Sequence, residues 1–221
     1  MSVINKKLYT NMESQGRVAQ IISEITANFY QTGMHMDNAF PLVPYLLHKA
    51  SLYNNPFDIT LQAIVHGKLD INSDAKCLAE SVLNDKLWEC LLTLVKKYSP
   101  EEFALVAITP VTDNEPKGIM NTPASILKLV HKLLDVRAEE EVADVCCGSG
   151  NYIVSAVLEE KEASYHGYEI DSANKVAAVM RAELLEADVE ITLCDVFSVA
   201  EIDKMPKYDK IFARAFLKSK K

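Results

Sequence analysis

The sequence predicts an α/β protein in two parts, a helical N-terminal domain followed by a domain built on a parallel β-sheet. Three observations predict this fold class. Apolar residues recur at helical spacing in the first half, strand-like and helical segments alternate in the second, and a segment rich in proline, glycine and polar residues lies between them at 109–121. Such alternation is typical of parallel strands joined by right-handed crossovers. We therefore place the domains at residues 1–110 and 111–221.

Two apolar faces indicate helices in the first domain. One is formed by Val18, Ile21, Ile22, Ile25 and Phe29, and the other by Leu83, Leu87, Leu91, Leu92 and Leu94. Both follow the three- and four-residue spacing of a helix that buries one side. Gly33 and Gly67 mark breaks between helices.

The second domain begins with a helix and continues as strand–helix pairs. Thr122 before Pro123 predicts a helix start, because a threonine can cap free amides and proline is tolerated in the first turn. The predicted helices are 124–136, 150–161 and 173–187, and the predicted strands are 141–146, 164–170, 189–195 and 208–213. A doubly wound parallel sheet follows from this order.

A glycine-containing loop follows the first predicted strand. The stretch DVCCGSGNY runs from Asp144 to Tyr152, at the kind of strand-to-helix junction where doubly wound sheets bind ligands. Gly148 and Gly150 allow a sharp turn and a close backbone approach, and the next helix offers free amides. Taken alone, the loop is also compatible with a simple tight turn.

Acidic residues follow the next two strands. In YEID, Glu169 can accept hydrogen bonds from both hydroxyls of a ribose; alternatively, Asp171 caps a helix and Glu169 is exposed. In CDVF, Asp195 can accept from an adenine amine, and Val196 or Phe197 can cover the ring. Three consecutive strand ends would then meet at one adenosine.

Composition excludes several other classes. The net charge of −8 gives no long-range attraction for a polyanion, so contact with nucleic acid would need a local basic patch or a partner. Apolar runs are too short for a membrane span and the N-terminus lacks a signal-peptide core, which predicts a cytoplasmic protein with no membrane partner. Five cysteines without Cys-x-x-Cys or His-x-Cys spacing predict free thiols and no metal site.

Together, DVCCGSGNY, YEID, CDVF and YDKIFA resemble the S-adenosylmethionine-binding half of adenine-specific (N6) DNA methyltransferases. The series is most similar to modification subunits of type I restriction-modification systems. Those proteins carry a helical N-terminal domain and a Gly-x-x-x-Thr-Pro element, here GIMNTP from Gly118 to Pro123. The matching motifs cover residues 118–213. The resemblance implies a partial Rossmann-like methyltransferase domain with S-adenosylmethionine as its cofactor.

The resemblance also assigns roles to individual residues. It implies that Thr122 and Pro123 hold the methionine end, that Glu169 binds the ribose, and that Ile170 lies against the adenine. The floor beneath the methionine end would be formed by Asp144, Cys146, Gly148 and Gly150. The adenine ring would be fixed by Asp195 with Val196 or Phe197.

The catalytic motif of the resembled family is missing. In that family the fourth strand ends in Asn or Asp, Pro, Pro and an aromatic residue. The side-chain oxygen and a backbone carbonyl accept from the amine of a flipped-out adenine, and the aromatic ring stacks on the base. Here the expected positions hold Ala213, Arg214, Ala215 and Phe216, so no catalytic residue is assigned. Arginine offers donors only, whereas the amine needs an acceptor.

The interpretation is therefore a type I modification subunit that is truncated after the fourth strand and inactive alone. DNA contact through a specificity subunit, and a possible nuclease subunit, are the partners that the resemblance implies. Two alternatives stay open: a non-catalytic scaffold or assembly protein with the methyltransferase fold, and a methyltransferase acting on another substrate.

Overall fold

A computed structural model of the chain describes residues 4, 6–34, 40–109, 122–198 and 205–214. The chain divides into two compact units, Met1–Ile119 and Met120–Lys221. The domain boundary that we predict between residues 110 and 111 lies outside the described residues, as does the predicted connecting segment apart from Thr109. Every element named below belongs to the described part of the chain.

The first unit is helical. Its helices are α1 (Lys6–Thr10), α2 (Met12–Thr32), α3 (Leu42–Ser51), α4 (Leu61–Val65), α5 (Ser73–Val82), α6 (Asp85–Leu92) and α7 (Pro100–Ile108). Short 3-10 helices occupy Pro56–Asp58 and Thr93–Lys96. The helical character predicted for this part of the sequence is confirmed.

Helix α2 shows how local sequence sets the bounds of a helix. The Asn11 side chain accepts a hydrogen bond from the Glu13 amide at its start, and Gly33 ends it in the left-handed conformation with φ of 71°. Val18, Ile21 and Ile25 are buried, so the predicted apolar face of this helix is its core-facing stripe.

The second predicted apolar face does not belong to one helix. Leu83 is the residue that ends α5, and Asn84 then caps α6, where it accepts from the Leu87 amide. Leu94 lies in a 3-10 helix. The single-helix prediction is wrong because Asn84 and the cap geometry start a new helix inside the apolar pattern.

The core of the first unit is centred on two helices that are apolar almost all round. Helices α3 and α7 pack against each other, and α7 is buried from Phe103 to Ile108. A capping box formed by Ser99 and Glu102 starts α7. Trp88 is buried, and its indole nitrogen donates to the Ile59 carbonyl at 2.6 Å.

The second unit is an α/β sheet. Its elements are α8 (Ala124–Leu134), β1 (Glu141–Asp144), α9 (Asn151–Glu159), β2 (Ser164–Glu169), α10 (Ser172–Leu185), β3 (Val189–Leu193) and β4 (Lys210–Phe212). The strands are parallel and lie in the order β3-β2-β1-β4. The predicted strands and their parallel pairing are confirmed.

This order creates a switch point at the centre of the sheet. The chain passes from β1 through β2 to β3 on one side and returns to β4 on the other side of β1. In open α/β sheets, ligands bind outside the carboxyl ends of the strands where the direction reverses. The loop after β1 lies at that point.

The helices after β1 and β2 pack together over the sheet. Helices α9 and α10 contact each other and β2. Gly167 of β2 permits this packing: a Cβ there would lie 2.6 Å from Ile191 Cδ1, 2.8 Å from Ile153 Cδ1 and 3.0 Å from Cys147 Sγ.

Across the described residues, none of the helices combines the length and apolar character that crossing a membrane requires.

Candidate functional site

The loop that joins β1 to α9 is held in a conformation that depends on its glycines. Gly148 and Gly150 have φ of +56° and +86°, which residues with a side chain adopt at a cost. A Cβ on Gly150 would also lie 3.1 Å from Ala178 Cβ and 3.2 Å from Ala178 Cα. Gly150 therefore lets the start of α9 lie directly against α10, whereas Gly148 faces open space.

Asp144 ends β1 with a buried carboxyl group. It is 2% exposed, and its Oδ1 accepts from the Cys146 amide at 3.3 Å. Burial raises its pKa to about 7, and the negative charge of Glu169 adds to that rise. Burial also raises the pKa of the half-buried Cys146 thiol, which favours its neutral form. Burial thus disfavours the charged forms of both groups at the base of the loop.

Glu169 joins the end of β2 to the glycine loop. The side chain is buried, at 8% exposure. Its Oε2 accepts from the Gly148 amide at 2.7 Å, and its Oε1 accepts from the Asp171 amide at 2.8 Å. Each carboxylate oxygen retains a further lone pair. The carboxylate is thereby fixed beside the loop and can still accept from a ligand.

The alternative for the YEID motif is half right. Asp171 does cap α10, because its side chain accepts from the Asn174 amide at 2.9 Å. Glu169, however, is buried rather than exposed, since the tight loop places the Gly148 amide against its carboxylate.

Exposed apolar side chains follow β2 and β3. Ile170 is 67% exposed and Phe197 is 62% exposed, while Val196 is half-buried. The Cys194 amide donates to the Glu169 carbonyl at 2.9 Å, which keeps the two strand ends in register. The carboxyl ends of β2 and β3 therefore present apolar surface beside the buried Glu169.

Asp195 organises the turn after β3. Its Oδ1 accepts from the Phe197 amide at 3.0 Å, and its carbonyl accepts from the Ser198 amide at 3.0 Å. The side chain is exposed, so one carboxylate oxygen shapes the turn while the group remains open to solvent.

Thr122 and Pro123 lie just before α8. Pro123 occupies the N-cap position and no side chain caps the helix, so the prediction that Thr122 is the cap is wrong. The helix begins one residue later than that prediction requires, which leaves the Thr122 hydroxyl too far back for the first free amides. Among the described residues, no hydrogen bond joins Thr122 to the glycine loop.

The chain beyond β4 supplies no acceptor side chain in the described residues. Ala213 is exposed and Arg214 is half-buried. The terminal nitrogen Nη1 of Arg214 is buried without a hydrogen-bond partner. Ala215 and Phe216, the other two positions of the expected motif, lie outside the described residues.

Arg181 is an important residue that sequence reasoning missed. It is 3% exposed in α10, and its Nη1 lies 2.8 Å from Ser149 O, 2.9 Å from Ser149 Oγ and 2.8 Å from Asn151 Oδ1. It therefore anchors the glycine loop from behind. The signal was an arginine inside the apolar stretch of α10, since a charged residue buried at such a position needs polar partners.

Tyr152, the last residue of the glycine motif, was also given no role. Its ring stacks on Phe212 of β4 with centroids 4.4 Å apart, and on His131 of α8 at 5.6 Å. The hydroxyl is buried and has no hydrogen-bond partner.

No group of three or more histidine, cysteine or acidic side chains suited to a metal ion occurs in the described part of the chain.

The sheet order, the left-handed glycine loop and the buried acid after β2 define a doubly wound α/β protein of the class whose ligands occupy the switch point. The sequence model of the N-6 DNA methylase family matches residues 102–217, just over half of the chain. The chain belongs to the N-6 DNA methylase family. This agrees with the resemblance that the four motifs indicate.

Solved structures resemble the chain in fold. A modification subunit assigned to a type I restriction enzyme from Vibrio vulnificus matches with a TM-score of 0.53 and 14% identity, covering 82% of this chain and 56% of that protein. A type I restriction-modification methyltransferase subunit from Streptococcus thermophilus gives 0.48 and 14%, with coverage of 94% and 49%. The chain thus spans about half the length of each. Comparison with curated protein sequences finds no significant match.

Proposed function

We propose that the second unit binds S-adenosylmethionine at the switch point, and that the chain is the cofactor-binding portion of a DNA adenine N6-methyltransferase subunit. Membership of the N-6 DNA methylase family supports the chemistry. The type I modification subunit from Vibrio vulnificus, which shares the fold, supports the further proposal that the subunit serves a type I restriction-modification system.

The observation that carries the proposal is the placement of Glu169. Two backbone amides, from Gly148 and Asp171, hold its carboxylate beside the glycine loop. A fixed carboxylate with free lone pairs can accept from the vicinal hydroxyls of a ribose. Ile170 and Phe197 follow the adjoining strand ends, and their apolar side chains would pack against an adenine ring.

The remaining contacts follow from positions around the loop. Gly148 and Gly150 leave the loop backbone accessible, Asp144 and Cys146 form its floor, and Asp195 with Val196 would hold the far side of the adenine. Thr122 and Pro123 would contact the methionine end. When bound, S-adenosylmethionine supplies a methyl group on a positively charged sulfur.

We further propose that this chain alone does not methylate adenine. A target amine needs an acceptor held close to it in the reacting geometry. Ala213 has no polar side chain and Arg214 has donors only. DNA, a specificity subunit and a nuclease subunit are proposed as partners of the full-length relative, not of this chain by itself.

Cofactor binding is tested by isothermal titration with S-adenosylhomocysteine, which keeps the adenosine and amino-acid parts of the cofactor. We expect binding by the wild type and a loss of about 10-fold or more in Glu169→Gln, because the variant loses the charge-assisted hydrogen bonds to the ligand and sets an NH2 group against one of the two backbone amides that the carboxylate holds. Glu162→Gln is a matched control, since Glu162 is exposed ahead of β2, at the opposite end of that strand. Absence of binding by a folded wild type would contradict the proposal and favour the scaffold alternative.

Catalytic competence is tested separately. Labelled S-adenosylmethionine is incubated with the protein and unmethylated genomic DNA, and incorporation into DNA is counted. We expect none above background. Robust incorporation would refute the proposal that the chain is inactive alone.

A further inference from the structure

Two buried donors in the second unit have no hydrogen-bond partner. Among the buried side-chain nitrogen and oxygen atoms of the described residues, the unpartnered ones are Asn72 Nδ2, the Tyr152 hydroxyl and Arg214 Nη1. Asn72 lies in the first unit, where its side-chain oxygen already caps α5. The other two belong to adjoining parts of the switch point, and neither has a role in the contacts proposed above.

Both residues adjoin Phe212, the last residue of β4. The Tyr152 ring stacks on the Phe212 ring at 4.4 Å, and the Val145 amide donates to the Phe212 carbonyl at 3.1 Å. β4 ends at Phe212, and Arg214 follows it by two residues, so the Cα of Arg214 lies at most about 7 Å from that of the residue on which Tyr152 stacks. The chain course therefore puts both unpartnered donors at the end of β4, next to the glycine loop.

The chemistry of the pair is that of donors awaiting an acceptor. An arginine side chain offers donors in a planar fork and accepts nothing. Burial raises the pKa of the Tyr152 phenol, and the negative charge of Asp144 adds to the rise, so this hydroxyl also keeps its proton. Leaving buried donors unpaired costs free energy, which a bound acceptor would recover.

Nearby acidic groups are compatible with a negatively charged ligand. The charge of Asp144 raises the pKa of the Tyr152 hydroxyl, and the pKa of Asp144 itself is about 7. An arriving anion would favour its protonated form. The guanidinium of Arg214 supplies the positive charge that a negatively charged ligand requires.

We propose that Arg214 and Tyr152 form a subsite for an oxyanion, such as a carboxylate or phosphate, between the glycine loop and the end of β4. Two ligands could supply it. With adenosine over β2 and β3, as the proposed function requires, the rest of the cofactor extends across β1 and its amino-acid carboxylate is one source. A phosphate of the methyl acceptor is the other.

The first arm of the test compares two ligands by isothermal titration. S-adenosylhomocysteine carries the amino-acid carboxylate, whereas methylthioadenosine lacks the whole amino-acid part. If the carboxylate of the cofactor supplies the oxyanion, Arg214→Gln should weaken the binding of S-adenosylhomocysteine by about 10- to 100-fold. The affinity for methylthioadenosine should change by less than about 2-fold. Tyr152→Phe should show the same selectivity with a smaller loss.

The second arm uses inorganic phosphate as the probe. The thermal midpoint of each protein is measured in phosphate and in chloride at equal ionic strength. If a phosphate of the methyl acceptor supplies the oxyanion, inorganic phosphate should raise the thermal midpoint of the wild type. Arg214→Gln should then abolish that rise and leave the affinity for S-adenosylhomocysteine unchanged. Arg137→Gln is the matched control: Arg137 is an exposed arginine ahead of β1, paired with Asp135, and both readouts should match the wild type.

Folding and ligand effects can be separated. Tyr152→Phe removes one unpartnered hydroxyl, so its thermal midpoint without ligand should not fall. Unchanged affinity for both nucleosides and an unchanged phosphate effect in Arg214→Gln and Tyr152→Phe would overturn the subsite. If the wild type binds neither nucleoside, the proposed function fails, and loss of the phosphate effect in Arg214→Gln still decides the subsite by itself.

Discussion

Asp144 makes the stability of the second unit depend on pH. The ordinary pKa of its carboxyl is 3.8, and burial raises it to about 7 in the folded protein. Between these values the native state holds a proton that the unfolded chain has released, so stability falls as pH rises. Groups that act on this carboxyl or feel its charge are Glu169, Cys146, Cys147 and Tyr152.

We expect Asp144→Asn to remove this dependence. Relative to the variant, the wild type should lose about 1.4 kcal/mol of unfolding free energy per pH unit between roughly pH 4 and 7. Urea unfolding at pH 5, 6 and 7 measures the difference. Asp135→Asn is the control: Arg137 lowers the pKa of Asp135, so its contribution is lost only below about pH 4 and this variant should run parallel to the wild type from pH 5 to 7. Parallel pH profiles for wild type and Asp144→Asn would contradict the assignment.

Gly150 and Gly148 differ in the space around them, which separates steric contact from backbone strain. Both have positive φ, but a Cβ meets Ala178 at Gly150 and nothing within 4 Å at Gly148. We expect Gly150→Ala to destabilise the protein by about 2–4 kcal/mol and Gly148→Ala by about 1–2 kcal/mol. Urea unfolding gives both values. Equal losses would mean that strain alone governs the loop.

At the scale of elements, α10 acts as a support for the glycine loop through Arg181. Arg181→Met removes a donor that lies within 2.9 Å of three oxygens on Ser149 and Asn151. We expect a loss of about 2–4 kcal/mol in unfolding free energy, because the buried acceptors lose a charged partner. Arg181→Lys keeps the charge without the fork and should lose less. A stability change within 0.5 kcal/mol for Arg181→Met, the typical size of a surface substitution, would show that the loop holds its shape unaided.

The sequence predicts regular elements better than it predicts the contacts between them. The strands of the sheet are recognisable because short apolar runs end in turn residues, as VEITLCD does before Val196. The break at Asn84 was missed, since a cap residue inside an apolar pattern competes with periodicity and tertiary packing decides the outcome. The boundary at Thr122 fails for a related reason, because helices often begin a residue away from the expected cap.

For the candidate site, too, individual residues are easier to predict from the sequence than the contacts between them. Glu169 is recognisable as an acid after a strand, but its hydrogen bond to the Gly148 amide joins residues far apart in sequence. Arg181 is harder still, because the oxygens it contacts belong to another element. Pairings of this kind depend on how α9 and α10 pack, which the spacing of apolar residues along each helix does not specify.

At the scale of the whole molecule, the two compact units can be followed separately. Trp88 is the one tryptophan of the sequence and is buried in the first unit. We expect S-adenosylhomocysteine to raise the thermal midpoint of the second unit by mass action, without moving the transition seen by Trp88 fluorescence. Differential scanning calorimetry records the unfolding of both units, and the transition that Trp88 fluorescence does not report is assigned to the second unit. A matching shift at Trp88 would instead show that the units unfold together.

The order β3-β2-β1-β4 has a consequence for how such a protein can diverge. The residues proposed to hold adenosine follow β2 and β3, whereas Arg214 follows β4 on the other side of β1. A substitution after β4 can therefore change what that strand end contacts without altering the residues after β2 and β3.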